Sequence, residues 1–298
     1  MLCRMMKVNR SAYYTYRNGK TYTITMWQEL FDDRVKKMFE NHRRRIGSRR
    51  MVTELFKAHG MRVGRCSVRS SYRRQDLVAI RPRSTKPWTT DSGHGLAVSP
   101  NLLLDSKNEP SGSGEVIVGD ITYLPLLRGG FSYLAMFQDK FSKQLIGWTM
   151  SDTLKAEFVV TALKKAIFKG MIKKNAIIHT DRGSQYASNV YRSLLNQHGF
   201  RQSMSRKGNC YDNSQAESFF ARLKIELLEG GKFDSHETAR GEIFGYIEGY
   251  YNRRRPHSAI NNMTPDEYAA GFQSAGQFHA TQELASLPII KPAQRAVI

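Results

Sequence analysis

The chain has 298 residues, 40% hydrophobic and 11% aromatic, enough for about two ordinary cores and too much for a disordered polyelectrolyte. Lys and Arg number 46 against 26 Asp and Glu, a net +20, and residues 1–100 hold 22 basic and 7 acidic side chains, or +15 of that excess. Cys3, Cys66 and Cys210 are odd in number and far apart, which argues against a disulfide framework or zinc module, and no apolar run approaches the ~18 residues of a membrane span.

Trp27 to Glu40 sets Leu30, Phe31, Val35, Met38 and Phe39 on one helical stripe, and Ser48 to His59 repeats the pattern with Met51, Val52, Leu55 and Phe56 before Gly60 as a stop. A third helix is predicted from Cys66 to Gln75, with Val68 and Tyr72 inward and Arg69, Arg73 and Arg74 outward. That order is compatible with a helix-turn-helix whose basic third helix faces DNA, and also with a small bundle carrying a solvated basic face. The Arg43-Arg44-Arg45 and Arg49-Arg50 clusters favour DNA, because neutralising phosphates releases counterions. Residues 1–80 therefore read as a basic helical DNA-binding region. From 81 to 114, Pro82, Pro87, Pro100, Pro110 and the Ser-Gly-Ser-Gly at 111–114 read as a linker.

Beyond it, residues 115–230 read as an α/β core. Val116 to Leu124 is a predicted strand, Ser132 to Gln138 and Gln144 to Met150 a hairpin around Asp139-Lys140, and Ser151-Asp152 the cap of a helix ended by Gly170. Ala176 to Thr180 is a short buried strand, Asn189 to His198 a helix, Arg201 to Ser205 another strand, and Ser214 to Glu229 a helix. In the last stretch, residues 231–298, Asp234 with Glu237 and Thr264 with Glu267 are capping-box patterns for two further helices, a C-terminal extension of the core followed by a tail.

Three carboxylates stand out in this order. Asp120 follows an apolar run within the first strand, on the same face as Val116, Val118 and Thr122; Asp181 follows a buried strand at the carboxyl edge, where open α/β sheets place ligands; Glu217 lies 36 positions further on, in a first helical turn, with Lys224 two turns later on its face. Taken singly, each has a plainer explanation: a strand-end Asp capping a loop, or a Glu favoured by the helix dipole. Together they suit two hard divalent ions, Mg²⁺ or Mn²⁺, which activate a poor nucleophile and neutralise the leaving oxygen of a phosphodiester.

His179-Thr180-Asp181-Arg182-Gly183-Ser184-Gln185-Tyr186 and the run from Lys207 through Asn213-Ser214-Gln215-Ala216-Glu217 to Phe220 resemble the second and third blocks of the OrfB-type DDE transposases of bacterial insertion sequences. The resemblance extends to Asp120-Ile121-Thr122-Tyr123, to Tyr250-Tyr251-Asn252-Arg253-Arg254-Arg255-Pro256-His257-Ser258 and to Met263-Thr264-Pro265, covering roughly residues 28 to 270. It implies a ribonuclease-H-like mixed sheet flanked by helices, of the retroviral-integrase type, preceded by a small all-α helix-turn-helix-like domain. It further implies that Asp120, Asp181 and Glu217 hold two Mg²⁺ or Mn²⁺ ions and that Lys224 contacts element-end DNA. Arg206, Lys207, Arg69, Arg73 and Arg74 are the remaining candidate DNA contacts. The expected partners are element ends and target DNA, other copies of the chain assembled on them, and a product of the upstream reading frame, since no leucine-zipper heptad precedes residue 28. The expected location is the bacterial cytoplasm, at the nucleoid. A non-catalytic DNA-binding regulator derived from such an enzyme is the alternative, and a nuclease on the same core a further one.

Overall fold

Near the N-terminus, helix stripes and stops settle the local structure almost residue for residue. A computed structural model describes residues 2–6, 8–19, 25–80, 96–207, 209–228 and 231–271, and the chain divides into two units, Met1–Arg81 and Pro82–Ile298. In the first unit, α1 (Leu2–Met5) and α2 (Arg10–Arg17) precede the expected helices. α3 (Met26–Asn41) begins at Thr25, whose hydroxyl accepts from Gln28 N at 3.2 Å. α4 (Ser48–His59) ends on Gly60 at φ +64°, with Met61 N reaching back to the Leu55 carbonyl in a left-handed cap. α5 (Arg65–Arg74) completes the set, and Phe31, Val35, Met51, Leu55 and Val68 meet in one buried cluster. Arg69 and Arg73 are exposed. Arg74 instead grips the Asp32 carboxylate with two hydrogen bonds of 2.8 and 2.7 Å, fastening α5 to α3.

The second unit follows the expected order with one short helix added. β1 (Val116–Pro125), β2 (Phe131–Asp139) and β3 (Leu145–Ser151) lead to α6 (Ala156–Phe168), β4 (Ile177–Thr180), α7 (Ser184–Ala187), α8 (Asn189–Gln197) and β5 (Arg201–Met204). α9 (Ser214–Leu228) and α10 (His236–Tyr246) come next, α10 running on through a π turn at Ile247–Tyr251, and a last helix spans 265–271. Among the described residues the strands form one five-stranded sheet in the order β3-β2-β1-β4-β5. β1, β2 and β3 pair antiparallel, whereas β1-β4 and β4-β5 pair parallel. The central runs Val116-Ile117-Val118 and Ile177-Ile178 are buried on both faces, as parallel pairing demands. α6, α7 and α8 cover one face around Ile117, Phe137, Leu163 and Ile178; α9, α10 and the π turn cover the other around Leu124, Leu134, Phe219 and Ile243. This mixed sheet between helical layers is the ribonuclease-H-like fold. Gly147 lets α6 lie close on β3, because a Cβ there would meet the Ala162 carbonyl at 2.5 Å.

Two expected caps are corrected. Ser151 stays in the β3 ladder opposite Tyr133 and its Oγ accepts from Thr153 N at 3.0 Å, so α6 starts only at Ala156, without a side-chain cap. α10 is capped by Ser235 rather than Asp234, Ser235 Oγ accepting from Thr238 N at 3.2 Å. The Thr264 box forms as expected, with Glu267 N donating to Thr264 Oγ1 at 3.2 Å and Thr264 N to Glu267 Oε2 at 2.8 Å.

Part of the expected linker is built into the core. Leu102 N donates to Ser203 Oγ at 2.9 Å and Ser99 Oγ to Gln202 Oε1 at 2.8 Å, laying residues 99–108 along β5, while residues 81–95 and the tail 272–298 lie outside the described residues. The C-terminal extension is equally part of the core: Phe233 N donates to the Pro125 carbonyl at 3.0 Å and Leu127 N to the Phe233 carbonyl at 2.9 Å.

Candidate active site

Parallel pairing aligns the first two carboxylates. Val118 lies opposite His179, so two residues on, Asp120 within β1 and Asp181 just past the carboxyl end of β4 lie on the same side of the sheet. α9, which carries Glu217 and Lys224, packs on β1. Backbone amides orient both aspartates: Ile121 N donates to Asp120 Oδ1 at 2.8 Å and Gly183 N to Asp181 Oδ1 at 3.0 Å. The second bond closes a turn in which a larger residue at position 183 would press on the side chains beside it. A Cβ on Gly183 would stand 3.1 Å from Asp181 Oδ1 and 3.0 Å from Gln185 Oε1.

Asp120, Asp181 and Lys224 are half-buried and Glu217 is exposed, and they share one electrostatic field. Burial first, then the charges of Asp181 and Glu217, push the Asp120 carboxyl well above the usual carboxylate range, against the opposing pull of Ile121 N–H and Lys224. Partial burial raises Glu217 as well, and burial lowers Lys224 although Asp120 favours its charge. Lys224 is the positive charge that opposes the like charges of Asp181 and Glu217 at Asp120. Carboxylate oxygens of suppressed acidity are the donor set that a hard divalent ion satisfies. Among the described residues no group of three His, Cys, Asp or Glu side chains is placed to hold a metal ion as it stands. What fits a divalent cation is the chemistry of the donors, hard carboxylate oxygens of raised pKa.

Several supporting residues escape sequence reasoning. Gln215, in the first turn of α9, donates to Gln138 Oε1 at 3.0 Å and to the Asp139 carbonyl at 3.2 Å, while Lys143 Nζ donates to Gln215 Oε1 at 2.8 Å. The hairpin thus fixes the helix turn that presents Glu217. Gln215 stands inside the block carrying the resemblance, but nothing local marks its partners, 77 and 72 residues away in sequence. Of the expected DNA contacts near the site, Lys207 is exposed, whereas Arg206 spends its fork on Asp212, at 3.1 and 2.9 Å, and holds that carboxyl down at about 2.

His179, beneath Asp181, is fully buried, with Nδ1 2.8 Å from Ser203 Oγ and Nε2 3.2 Å from Ser205 Oγ. Burial pushes its pKa down to about 4 from the ordinary 6.5, so the ring is neutral at physiological pH. As pH falls, the unfolded chain takes up this proton first; the stability due to the neutral ring is intact above about 6.5 and lost progressively down to about 4. Urea titrations of the wild type and His179→Asn should differ by an amount that shrinks by roughly 3 kcal/mol from neutral pH to pH 4. A difference constant across that range would contradict the neutral assignment.

Family models match along the chain: two of an Integrase core domain, over residues 110–210 and 198–265, and one of an HTH-like domain over residues 26–85. The chain is 39% identical over 269 residues to the transposase InsF for insertion sequence IS3A of Escherichia coli K12, spanning 90% of this chain and 92% of that protein. It is 34% identical over 264 residues to the insertion element IS600 uncharacterized 31 kDa protein of Shigella sonnei, spanning 89% and 96%. Among solved structures, the simian T-cell lymphotropic virus intasome in complex with PP2A regulatory subunit B56 gamma matches with a TM-score of 0.44 at 13% identity, over 88% of this chain and 78% of that one. The HTLV-2 integrase catalytic core domain in complex with magnesium matches with a TM-score of 0.41 at 13% identity, over 54% and 99%.

Proposed function

The chain belongs to the InsF-type transposases of insertion sequences, and from that premise we propose that it cuts DNA strands at the ends of its element and joins the freed 3′-hydroxyl to DNA through a metal-dependent DDE site. The observation that carries this reading is the shared field of Asp120, Asp181, Glu217 and Lys224 where the carboxyl end of β4 meets the middle of β1. Asp120, Asp181 and Glu217 would hold two Mg²⁺ or Mn²⁺ ions, which supply activation of water or a 3′-hydroxyl and neutralisation of the leaving oxygen. The chain's own part is orientation. The amides of Ile121 and Gly183 fix two of the carboxylates, the hairpin clamp on Gln215 fixes the turn bearing Glu217, and Lys224 offers its ammonium to a phosphate of the element end. The exposed Arg69 and Arg73 of the helix-turn-helix-like unit and Lys207 beside the core are further proposed phosphate contacts. Other copies of the chain, assembled on two element ends, and an upstream-frame product are the proposed protein partners, in the cytoplasm at the nucleoid. Among the described residues no helix is long and apolar enough to cross a membrane.

Incubating the full chain with oligonucleotides of its element's ends and Mg²⁺ should yield cleaved and joined strands, and Glu217→Gln should retain DNA binding while losing both products. Wild-type binding without any metal-dependent product would favour a non-catalytic regulator. Preference for branched or RNA–DNA hybrid substrates would favour a nuclease.

A further inference from the structure

Tyr186 is fully buried, and among the described residues its hydroxyl has no hydrogen-bond partner. Stranding a phenol hydroxyl in a core costs ~1–3 kcal/mol relative to an apolar replacement, so a position serving packing alone is better filled by Phe. The stranding is not a matter of loose placement. The Tyr186 carbonyl accepts from Gln202 Nε2 at 2.7 Å, and its ring meets Tyr191 edge-on at 5.4 Å.

The Tyr186 ring borders the Asp181 carboxylate. α7, which carries Tyr186, follows directly on the turn at Asp181, and the empty Cβ position of Gly183 is flanked by Asp181 Oδ1 at 3.1 Å and by the Tyr186 ring at 3.6 Å. Ring and carboxylate thus border the same small space. The charges of Asp120 and Asp181 both reach the phenol and, after burial, keep it protonated. Tyr191 supplies the contrast: its hydroxyl is equally buried and, among the described residues, equally without a partner, but burial and not a carboxylate charge shifts it.

We infer that Tyr186 is a positioning residue whose hydroxyl donates a hydrogen bond to the Asp120–Asp181 pair when those carboxylates hold a divalent cation. A carboxylate bound to a cation keeps lone pairs directed away from it, and a neutral buried donor on that side fixes the rotamer and sharpens affinity. The inference rests on the reading of Asp120 and Asp181 as cation ligands.

Mn²⁺ is the probe, its free concentration followed by electron paramagnetic resonance in titrations of the full-length wild type, Tyr186→Phe and Tyr191→Phe. Tyr186→Phe is expected to weaken Mn²⁺ binding about tenfold with a metal-free thermal midpoint unchanged or raised, and Tyr191→Phe to change binding by less than about twofold. Failure of the wild type to bind Mn²⁺ would overturn the cation reading itself. Unaltered binding in Tyr186→Phe, equal weakening in both variants, or a lowered metal-free midpoint in Tyr186→Phe would overturn the role of Tyr186 alone.

Discussion

Asp120→Asn is expected to make the metal-free protein more stable and the metal-loaded protein inert. Asp120 sits half-buried with the like charges of Asp181 and Glu217 upon it, so its ionised form is a burden on the fold at neutral pH. Asparagine keeps the shape and can still accept from Ile121 N, the 2.8 Å bond that orients the aspartate. Relief of about 1 kcal/mol would raise the thermal midpoint by about 2–4 °C in a unit of this size. Added Mg²⁺ should raise the wild-type midpoint and leave the variant unmoved, reversing their order. Strand transfer should fall on the order of 10³-fold, since several kcal/mol of transition-state charge stabilisation are lost at 1.36 kcal/mol per decade. A midpoint that drops in metal-free Asp120→Asn would mean that the carboxylate is a structural cap, the plainer reading of a strand-end aspartate.

The largest stability effect is expected far from the carboxylates, at Arg255. This side chain is 1% exposed and grips Glu226 on α9 through Nε at 3.1 Å and Nη2 at 2.7 Å. Tyr246 donates to the same carboxylate at 2.9 Å, and the guanidinium lies over the Tyr251 ring at 5.7 Å. Removing one partner of a buried pair leaves the other charge uncompensated, so Arg255→Met should cost about 3–5 kcal/mol in urea unfolding. The double variant Arg255→Met with Glu226→Leu should recover most of that loss, because the desolvation cost of both ions disappears with them. A single variant within about 1 kcal/mol of the wild type would show that Glu226 is solvated in solution. The pair has a functional reach too: Glu226 shares α9 with Glu217 and Lys224, so the motif from Tyr250 to Ser258 steadies the helix that carries them.

What could be read from the sequence was what adjacent residues decide. α4 was legible to the residue because its apolar stripe and its left-handed glycine stop are local, and β1 and β4 because their β-branched runs tolerate burial on both faces. The cap expected at Ser151 failed since a serine is as acceptable in a strand ladder as at a helix start, and the ladder opposite Tyr133 won. Long motifs marked Asp181 and Glu217, and alternation put Asp120 on the face of Val116, Val118 and Thr122. The partners that hold these groups were invisible, because Gln215–Gln138, Arg255–Glu226 and Arg74–Asp32 are brought together by topology across 77, 29 and 42 residues. Arg74 and Arg206 show the consequence. Composition marks them as phosphate contacts, while the fold employs each as a bidentate clamp on an aspartate.

Strand transfer of a labelled element end into a second duplex, measured side by side for the wild type and Asp181→Ala in Mg²⁺ and in EDTA, tests the central claim most directly. Joined product should appear with the wild type in Mg²⁺ alone, with Asp181→Ala reduced on the order of 10³-fold while still binding the end. Undiminished joining by Asp181→Ala, or equal joining in EDTA, would contradict a carboxylate-held metal site.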